Sequence, residues 1–272
     1  FGKPVSWSTP ADMRILILGD VIGQPGLRAV VSALKGLIRQ HRADVVIVNG
    51  ENADEGFGIN PAIAEQLFKA GADVVTTGNH VWHHDEVADL LNNSPSVLRP
   101  DNYPGGAPGS GVYIHEGRAG RVAVINLQGR DRLPAIECPF RRARDILKRI
   151  KGQHDAVVVD FHAESTEEKE AFAHYLDGDV TVVYGTHTHV QTADERILPG
   201  GTAMITDVGA CGPDQSVIGF EPSISVRRVL TQLPLRNEVA GNAATIHGLV
   251  VETAPSGELA TTVERIQFRS LI

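Results

Sequence analysis

The chain has 272 residues, of which 42% are hydrophobic and 21% are charged, and this is an ordinary composition for a globular protein. Its net charge of −8 argues against long nucleic acid as the main partner, because surfaces that bind many phosphates are basic. No run approaches the roughly 18–20 apolar residues of a membrane span, so no membrane partner is expected. These numbers leave a small anionic ligand open, provided that metal ions supply positive charge locally.

Met13 stands directly before the first predicted strand. We therefore interpret residues 1–12 as an N-terminal extension or cloning remnant, and residues 13–272 as a single domain. Cys138 and Cys211 are the two cysteines. Two thiols so far apart do not form a disulfide framework, which predicts a reducing, cytoplasmic location.

The predicted elements alternate between strand and helix over the first ninety residues. They are strand 14–18, helix 27–40, strand 45–48, helix 61–69, strand 74–77 and helix 85–91. Continuous β-branched runs are typical of strands covered on both faces, so we predict a largely parallel sheet with helices on each side.

A segment rich in Pro, Gly and Asn, residues 99–111, interrupts this rhythm. Strands 112–115 and 121–127 follow as a predicted antiparallel pair, and then come helix 140–150, strand 156–161, helix 165–176 and strand 180–184. Segments 202–207, 245–252 and 259–267 are predicted to be strands of a second sheet, with a short helix near 223–231 and a hairpin turn at 254–257. The composition of segment 99–110 also raises the hypothesis of a lid.

Side chains that bind metal ions follow five of these strands. In chain order they are Asp20, then Glu51 with Asn52, then Asn79 with His80, then His162, and finally His187 with His189. Each residue alone would be explained by a turn, a helix cap or a buried hydrogen bond. Parallel strands, however, end at one edge of a sheet, where open α/β proteins bind ligands. Five such ends together predict a metal site.

The pattern indicates a two-metal hydrolase. Two ions about 3.5–4 Å apart can activate a bridging hydroxide and hold the oxygens of a phosphate. Glu51 is the predicted bridge; Asp20, Asn52 and His189 are predicted to complete one ion, and Asn79, His162 and His187 the other. Mixed oxygen and nitrogen ligands favour iron, manganese or zinc over calcium without choosing among the three.

His80 follows a predicted ligand, so its ring can face the cavity instead of an ion. We predict that it is the general acid that protonates the leaving alkoxide, because the pKa of histidine lies near neutrality. The alternative is a histidine that orients Asn79 or a bound phosphate.

Several motifs of this chain resemble those of the bacterial YmdB-like metallophosphoesterases. They are Gly19-Asp20-Val21-Ile22-Gly23, Asn49-Gly50-Glu51-Asn52-Ala53, Thr77-Gly78-Asn79-His80-Val81-Trp82, Asn126-Leu127-Gln128-Gly129-Arg130, Asp160-Phe161-His162-Ala163-Glu164, Gly185-Thr186-His187-Thr188-His189-Val190-Gln191-Thr192 and Thr206-Asp207-Val208-Gly209. The resemblance runs from Met13 to about Phe268, so residues 13–272 would be one metallophosphoesterase domain.

The resemblance implies a calcineurin-like αββα sandwich of two mixed β-sheets flanked by helices. It also implies a dinuclear centre of iron or manganese and phosphodiesterase activity on 2′,3′-cyclic and 3′,5′-cyclic nucleotides. The ligand pattern of the family falls on the same seven residues, and its proton donor falls on His80. Two positions depart from the wider superfamily: Ile22 replaces the usual histidine of Asp-x-His, and Glu51 replaces an aspartate.

Two other functions remain open from the sequence. A regulatory protein could sense a cyclic nucleotide with negligible turnover, although a candidate acid beside seven ligands favours catalysis. An amidohydrolase-type enzyme built on His187 and His189 fits less well, because such barrels carry His-x-His on their first strand. The exposed edges of two sheets make a homo-oligomer a further hypothesis.

Overall fold

The structure is a computed structural model that describes residues 12–270. The predicted N-terminal extension therefore lies outside the described residues, apart from Asp12. The strands are β1 (Arg14–Leu18), β2 (Asp20–Val21), β3 (Val45–Asn49), β4 (Val74–Thr76), β5 (Val112–Gly117), β6 (Gly120–Gln128), β7 (Ala156–His162), β8 (Val182–Thr186), β9 (Arg196–Ile197), β10 (Ala203–Ile205), β11 (Ala210–Pro213), β12 (Ala244–Thr253) and β13 (Ala260–Arg269).

Six α-helices connect or flank these strands, and a short 3₁₀ turn covers Val81–His83. The helices are α1 (Gly23–His41), α2 (Pro61–Ala70), α3 (Val87–Asn93), α4 (Pro139–Arg149), α5 (Thr166–Tyr175) and α6 (Pro222–Thr231). Helix α1 begins four residues earlier than predicted. Pro25 does not prevent this, because the first turn of a helix needs no intrahelical N–H donor.

Helix α2 begins and ends where its flanking residues indicate. The side chain of Asn60 accepts the backbone N–H of Ile63 at 2.9 Å, and Pro61 occupies the first turn. Gly71 ends the helix with a φ of 121°, a conformation that side-chain-bearing residues avoid. The predicted start and stop are both confirmed.

The strands form two mixed sheets. The first has the order β2-β11-β12-β1-β3-β4, with β13 paired to β12, and the second has the order β5-β6-β7-β8-β10-β9. Strands β1, β3 and β4 are parallel, as are β6, β7, β8 and β10. Strands β5 and β6 are antiparallel and form the predicted hairpin.

The predicted grouping of the last strands was wrong. Strand β12 pairs antiparallel with β1 and so joins the first sheet, and β13 follows it there. Strand β10 lies instead beside β8 in the second sheet. An apolar run shows that a strand is buried on both faces, but it carries no information about which strand lies beside it.

Alternation along the strands creates three apolar layers. In β1, Ile15 and Ile17 face the second sheet, whereas Leu16 and Leu18 face α1 and α2. A third cluster lies between the second sheet and helices α4 and α5. The αββα sandwich that the family resemblance implies is confirmed. The strand runs predicted helices on both faces of one sheet, and this was wrong, because one face of each sheet packs against the other sheet. In the part of the chain that the structure describes, no helix is long and apolar enough to cross a bilayer.

The outer layer of the second sheet depends on an aromatic pair. Phe172 of α5 is fully buried and stacks on Phe161 of β7 with ring centroids 4.0 Å apart. We expect Phe172→Ala to lower the free energy of unfolding by about 3–5 kcal/mol, because it leaves a cavity that neighbouring side chains cannot fill. Urea unfolding measures the change. The control Val229→Ala, at a residue 74% exposed, should shift stability little; equal effects of both substitutions would contradict this account.

Candidate metal centre

The carboxyl ends of the parallel strands of both sheets meet at one edge, and all eight predicted site residues lie there. Asp20 belongs to β2, Glu51 and Asn52 follow β3, and Asn79 and His80 follow β4. His162 ends β7 of the facing sheet, and His187 and His189 follow β8. The structure therefore brings together the residues that the strand-end pattern selected, whereas their role as metal ligands stays a prediction.

One group of potential ligand atoms surrounds Nε2 of His162. Oδ1 of Asn79 lies 2.9 Å from this nitrogen, Oε1 of Glu51 lies 3.0 Å away, and Nδ1 of His187 lies 3.0 Å away. One ring nitrogen carries at most one proton, so hydrogen bonds cannot satisfy all three neighbours. Ligands bound to a transition metal at about 2.0–2.2 Å lie roughly 3 Å apart, which is the spacing observed here.

A second group adjoins the first through Glu51. Nδ2 of Asn52 lies 3.0 Å from Nε2 of His189, 3.3 Å from Oε1 of Glu51 and 3.5 Å from Oδ1 of Asp20. A half-turn of the Asn52 amide would exchange this nitrogen for Oδ1, an oxygen ligand. The distances divide the seven residues into two sets of four. Glu51 belongs to both sets, which is the position expected of a carboxylate that bridges two ions.

Gly78 keeps space free beside the first group. A Cβ atom at this position would lie 2.3 Å from Oε2 of Glu51 and 2.3 Å from Nε2 of His162. Both neighbours are fully buried and cannot withdraw into solvent. The residues present therefore fit a bound cation in donor type, spacing and available room.

Burial and mutual charge shift the pKa values of these groups strongly. Burial raises the pKa of Asp20 to about 7. Burial opposes ionisation of Glu51 as well, but the neighbouring His162 outweighs it and lowers the pKa of Glu51 to about 2. Burial also opposes protonation of His162, and the Glu51 carboxylate overcomes it, raising the pKa of His162 to about 9. Burial, followed by the charge of His162, lowers the pKa of His187 to about 3.

In two histidines, a neighbouring side chain contacts one ring nitrogen and so determines which of the two nitrogens faces the cluster. The Thr186 hydroxyl donates to Oδ1 of Asp160 at 2.7 Å, so its oxygen accepts from Nδ1 of His162 at 2.9 Å. Nε2 of His162 consequently faces the cluster. For His187 the order is reversed: Nε2 lies 3.2 Å from Oε2 of Glu164, and Nδ1 faces the cluster.

The two histidines of the His-Thr-His segment lie in the left-handed region, with φ of 95° at His187 and 65° at His189. Asp207 holds this segment by accepting both the N–H of Thr188 at 3.1 Å and its hydroxyl at 2.7 Å. Lys169, which is 3% exposed, donates to the same carboxylate at 2.8 Å. Sequence reasoning did not assign roles to these supporting residues, although Asp160, Glu164 and Asp207 stand inside the recognised motifs.

A cavity of about 260 Å³ opens over the cluster. Its walls include Glu51, Asn52, Phe57, His80, Glu164, His187, Thr188, His189, Ile218 and Phe220. The rings of His80 and Phe57 pack edge to face with their centroids 5.1 Å apart. The backbone N–H of His80 donates to Oε2 of Glu51 at 3.3 Å. Burial lowers the pKa of His80.

The hypothesis of a lid formed by segment 99–110 gains no support from the structure. Arg99 is 7% exposed, and its guanidinium donates to backbone carbonyls of its own segment, including Pro100 at 2.8 Å and Pro108 at 2.9 Å. A segment wrapped around a buried arginine is held in place. The residues that line the cavity come from other loops.

An αββα sandwich with a cluster of carboxylate, amide and imidazole groups at the strand ends defines a calcineurin-like phosphoesterase fold. A family model described as YmdB-like protein matches residues 16–266, and the chain belongs to that family.

Similar proteins cover nearly the whole chain. A 2′,3′-cyclic-nucleotide 2′-phosphodiesterase of Bacillus subtilis is 42% identical over 254 residues, which are 93% of this chain and 96% of the relative. A crystal structure of a hypothetical protein from Thermus thermophilus is 40% identical, has a TM-score of 0.89, and the match covers 94% of this chain and 99% of that one. A crystal structure of a phosphatase from Mycoplasma pneumoniae is 35% identical with a TM-score of 0.89, over 95% and 94% of the two chains.

A substitution at Gly78 tests the predicted position of the ion without removing any candidate ligand. We expect Gly78→Ala to lose metal, because the added methyl group would collide with Glu51 and His162. Elemental analysis of protein loaded with manganese and then desalted measures the change. Gly36→Ala is the matched control, since a Cβ atom there would have no neighbour within 4 Å. Full metal content in Gly78→Ala would contradict the predicted position of the ion.

Proposed function

We propose that this protein is a metal-dependent phosphodiesterase that hydrolyses cyclic nucleotides. The observation that carries the proposal is the set of three ligand atoms within 3.0 Å of Nε2 of His162. The name of the Bacillus subtilis relative supports 2′,3′-cyclic nucleotides as substrates. We propose 3′,5′-cyclic nucleotides as a second substrate class.

The residues that would hold two metal ions follow from the two sets of distances. Asp20, Asn52 and His189 would hold one ion, Asn79, His162 and His187 the other, and Glu51 would bridge them. When bound, such ions neutralise the phosphoryl oxygens and lower the pKa of the water that attacks phosphorus. The mixed oxygen and nitrogen donors fit iron or manganese, with zinc as a further candidate.

His80 is proposed as the general acid because its ring lines the cavity without belonging to either set. Burial lowers its pKa, which reduces the protonated fraction at neutral pH. A bound phosphodiester anion acts in the opposite direction, because a nearby negative charge favours imidazolium. His80 then gives its proton to the departing ribose oxygen while hydroxide adds to phosphorus. With a 2′,3′-cyclic nucleotide, breaking the 2′ bond leaves a 3′-monophosphate.

Turnover separates this proposal from a protein that only senses cyclic nucleotides. The test is metal analysis of the purified protein together with hydrolysis of bis(p-nitrophenyl) phosphate and of 2′,3′-cyclic AMP. We expect two ions per chain and turnover of both substrates. Metal-loaded protein that binds 2′,3′-cyclic AMP without hydrolysing it would instead indicate a sensor.

His80→Ala tests the proton donor. We expect this variant to keep its metal content but to lose on the order of 10²–10⁴ in kcat for 2′,3′-cyclic AMP, the usual cost of removing a general acid. The loss should be smaller with bis(p-nitrophenyl) phosphate, whose leaving group needs no proton. The control is His83→Ala, at an exposed histidine of the same loop. Full activity of His80→Ala would show that the assignment is wrong.

Substitution of one ligand tests the division into two sets. We expect Asp20→Ala or His189→Ala to lower the metal content by about one ion per chain, because the Asn79, His162 and His187 set stays intact. Elemental analysis after desalting gives the stoichiometry, and His41→Ala, at the end of α1, serves as the control. Retention of both ions in either ligand variant would contradict the proposed assignment.

A further inference from the structure

A second cavity adjoins the proposed catalytic cavity. Its volume is about 680 Å³, against about 260 Å³ for the first. The two cavities share His189 and Ile218 as lining residues. Nδ1–H of His189 donates to the Ile218 carbonyl at 3.0 Å, so this hydrogen bond forms the partition between them. A ligand held at the metal centre can therefore cross the Ile218 side chain, which is 50% exposed, and enter the second cavity.

The volumes indicate what each cavity can hold. Pockets for ligands of drug size measure about 300–1,000 Å³. The catalytic cavity falls below this range, so it accommodates a phosphate with part of its sugar better than a whole nucleotide. The second cavity lies in the middle of the range and has room for another nucleotide unit.

The floor of the second cavity is a ribbon of two antiparallel strands that carries hydrogen-bond donors. Cross-strand pairs place Arg269 beside Thr245 and Gln267 beside His247, and Arg265 follows on the same face of β13. Residues two apart on one face of a strand are separated by about 6.6 Å. The result is a row of donors along one wall of the cavity that His189 also lines.

Both arginines have their guanidinium groups held by acids. Nε of Arg269 lies 2.7 Å from Oδ2 of Asp214, and Nε of Arg265 lies 2.7 Å from Oε2 of Glu195. Arg269 donates from Nε to Asp214, which fixes the plane of its guanidinium and leaves the terminal nitrogens to match two oxygens of a phosphate. The contact of Arg265 with Glu195 lacks hydrogen-bond geometry, and Nη1 of Arg265 donates to the Thr192 carbonyl at 3.2 Å, so Arg269 is the better phosphate donor. Because the acids balance the charge, the row suits one or two phosphates rather than a long polyanion.

We propose that this donor row is a subsite for the second phosphate of a substrate longer than a mononucleotide. The substrate class is a short linear nucleotide whose 2′,3′-cyclic phosphate end lies at the metal centre and whose next phosphodiester lies on Arg269. The placement of the cyclic phosphate end at the metal centre rests on the proposed function. The subsite explains how an acidic protein recognises a phosphate at a distance from its metal centre.

The experiment compares substrates of two lengths. Steady-state kinetics are measured with a 2′,3′-cyclic mononucleotide and with a dinucleotide that ends in a 2′,3′-cyclic phosphate. We expect wild-type protein to show the lower KM for the dinucleotide. Arg269→Gln should raise the KM for the dinucleotide about fivefold more than the KM for the mononucleotide, which is the upper weight of one charged contact at a side chain that is 66% exposed.

Arg121→Gln is the matched control. Arg121 also pairs with an aspartate, with Nη2 2.9 Å from Oδ1 of Asp155, but it stands at the start of β6, at the opposite end of the strands. It should change neither KM. Raising the salt concentration should reduce the advantage of the dinucleotide in wild-type protein, because exposed charges are screened. Equal KM values for the two substrates in wild-type protein, or equal effects of Arg269→Gln on both, would overturn the subsite.

A binding measurement tests the subsite independently of catalysis. Calorimetry compares a dinucleotide ending in a 3′-phosphate with a 3′-mononucleotide, using wild-type protein and Arg269→Gln. Tighter binding of the dinucleotide that depends on Arg269 supports the subsite even if no hydrolysis is found and the proposed function fails. Dinucleotide binding that does not compete with the mononucleotide would indicate a separate regulatory site and would contradict the proposal.

Discussion

The neutralisation of buried carboxylates is the constraint on which the rest of this structure depends. Asp20, Glu51 and Asp160 are all inaccessible to solvent at the edge where the two sheets meet. An unpaired buried carboxylate costs several kcal/mol, whereas a whole domain is stable by only about 5–15 kcal/mol. Asp160 is compensated locally, since it accepts hydrogen bonds from Thr76, Thr186 and Asn49. Glu51 and Asp20 each accept one backbone N–H, from His80 and His187, and otherwise face imidazoles. A set of acids and histidines in one desolvated place is stable as a group when it encloses positive charge, and this is the physical reason to regard the cluster as a cation site.

The support for this cluster is itself charged and buried. His187 and His189 lie in a backbone conformation that costs roughly 1–3 kcal/mol at each residue unless the surroundings impose it. The Lys169–Asp207 pair imposes it, because Asp207 accepts both hydrogen bonds of Thr188 between the two histidines. Lys169 belongs to α5, so the position of that helix on the second sheet is coupled to the geometry of the two imidazoles. Packing around Phe161 and Phe172 therefore contributes to the site as well as to stability.

The sequence predicted the site more completely than it predicted the arrangement of the sheets. Each candidate side chain lies at the end of an apolar run, and the ends of parallel strands coincide at one edge of a sheet. Local patterns were therefore enough to select Asp20, Glu51 and His162 as neighbours. The position of β12 could not be derived in this way, because pairing depends on contacts between residues more than two hundred positions apart. Thr186 and Asp160 were not assigned roles for another reason. Both lie within buried strands, and their roles follow only from their hydrogen-bond partners, which include each other and, for Thr186, the ring of His162.

The same limit applies to the chemistry of the histidines. Residue type shows that an imidazole is present, but it does not show which nitrogen carries the lone pair towards a metal ion. In His162 that nitrogen is Nε2, because the Thr186 hydroxyl is committed to Asp160 and can only accept from Nδ1. In His187 it is Nδ1, because Glu164 receives Nε2. Two histidines with opposite ring orientations thus place Nε2 of His162 and Nδ1 of His187 3.0 Å apart, where both could bind one ion. The ring orientations are set by Thr186, Asp160 and Glu164, none of which belongs to either candidate ligand set. Exchange of one of these three residues would therefore alter the geometry of the cluster although every candidate ligand is still present.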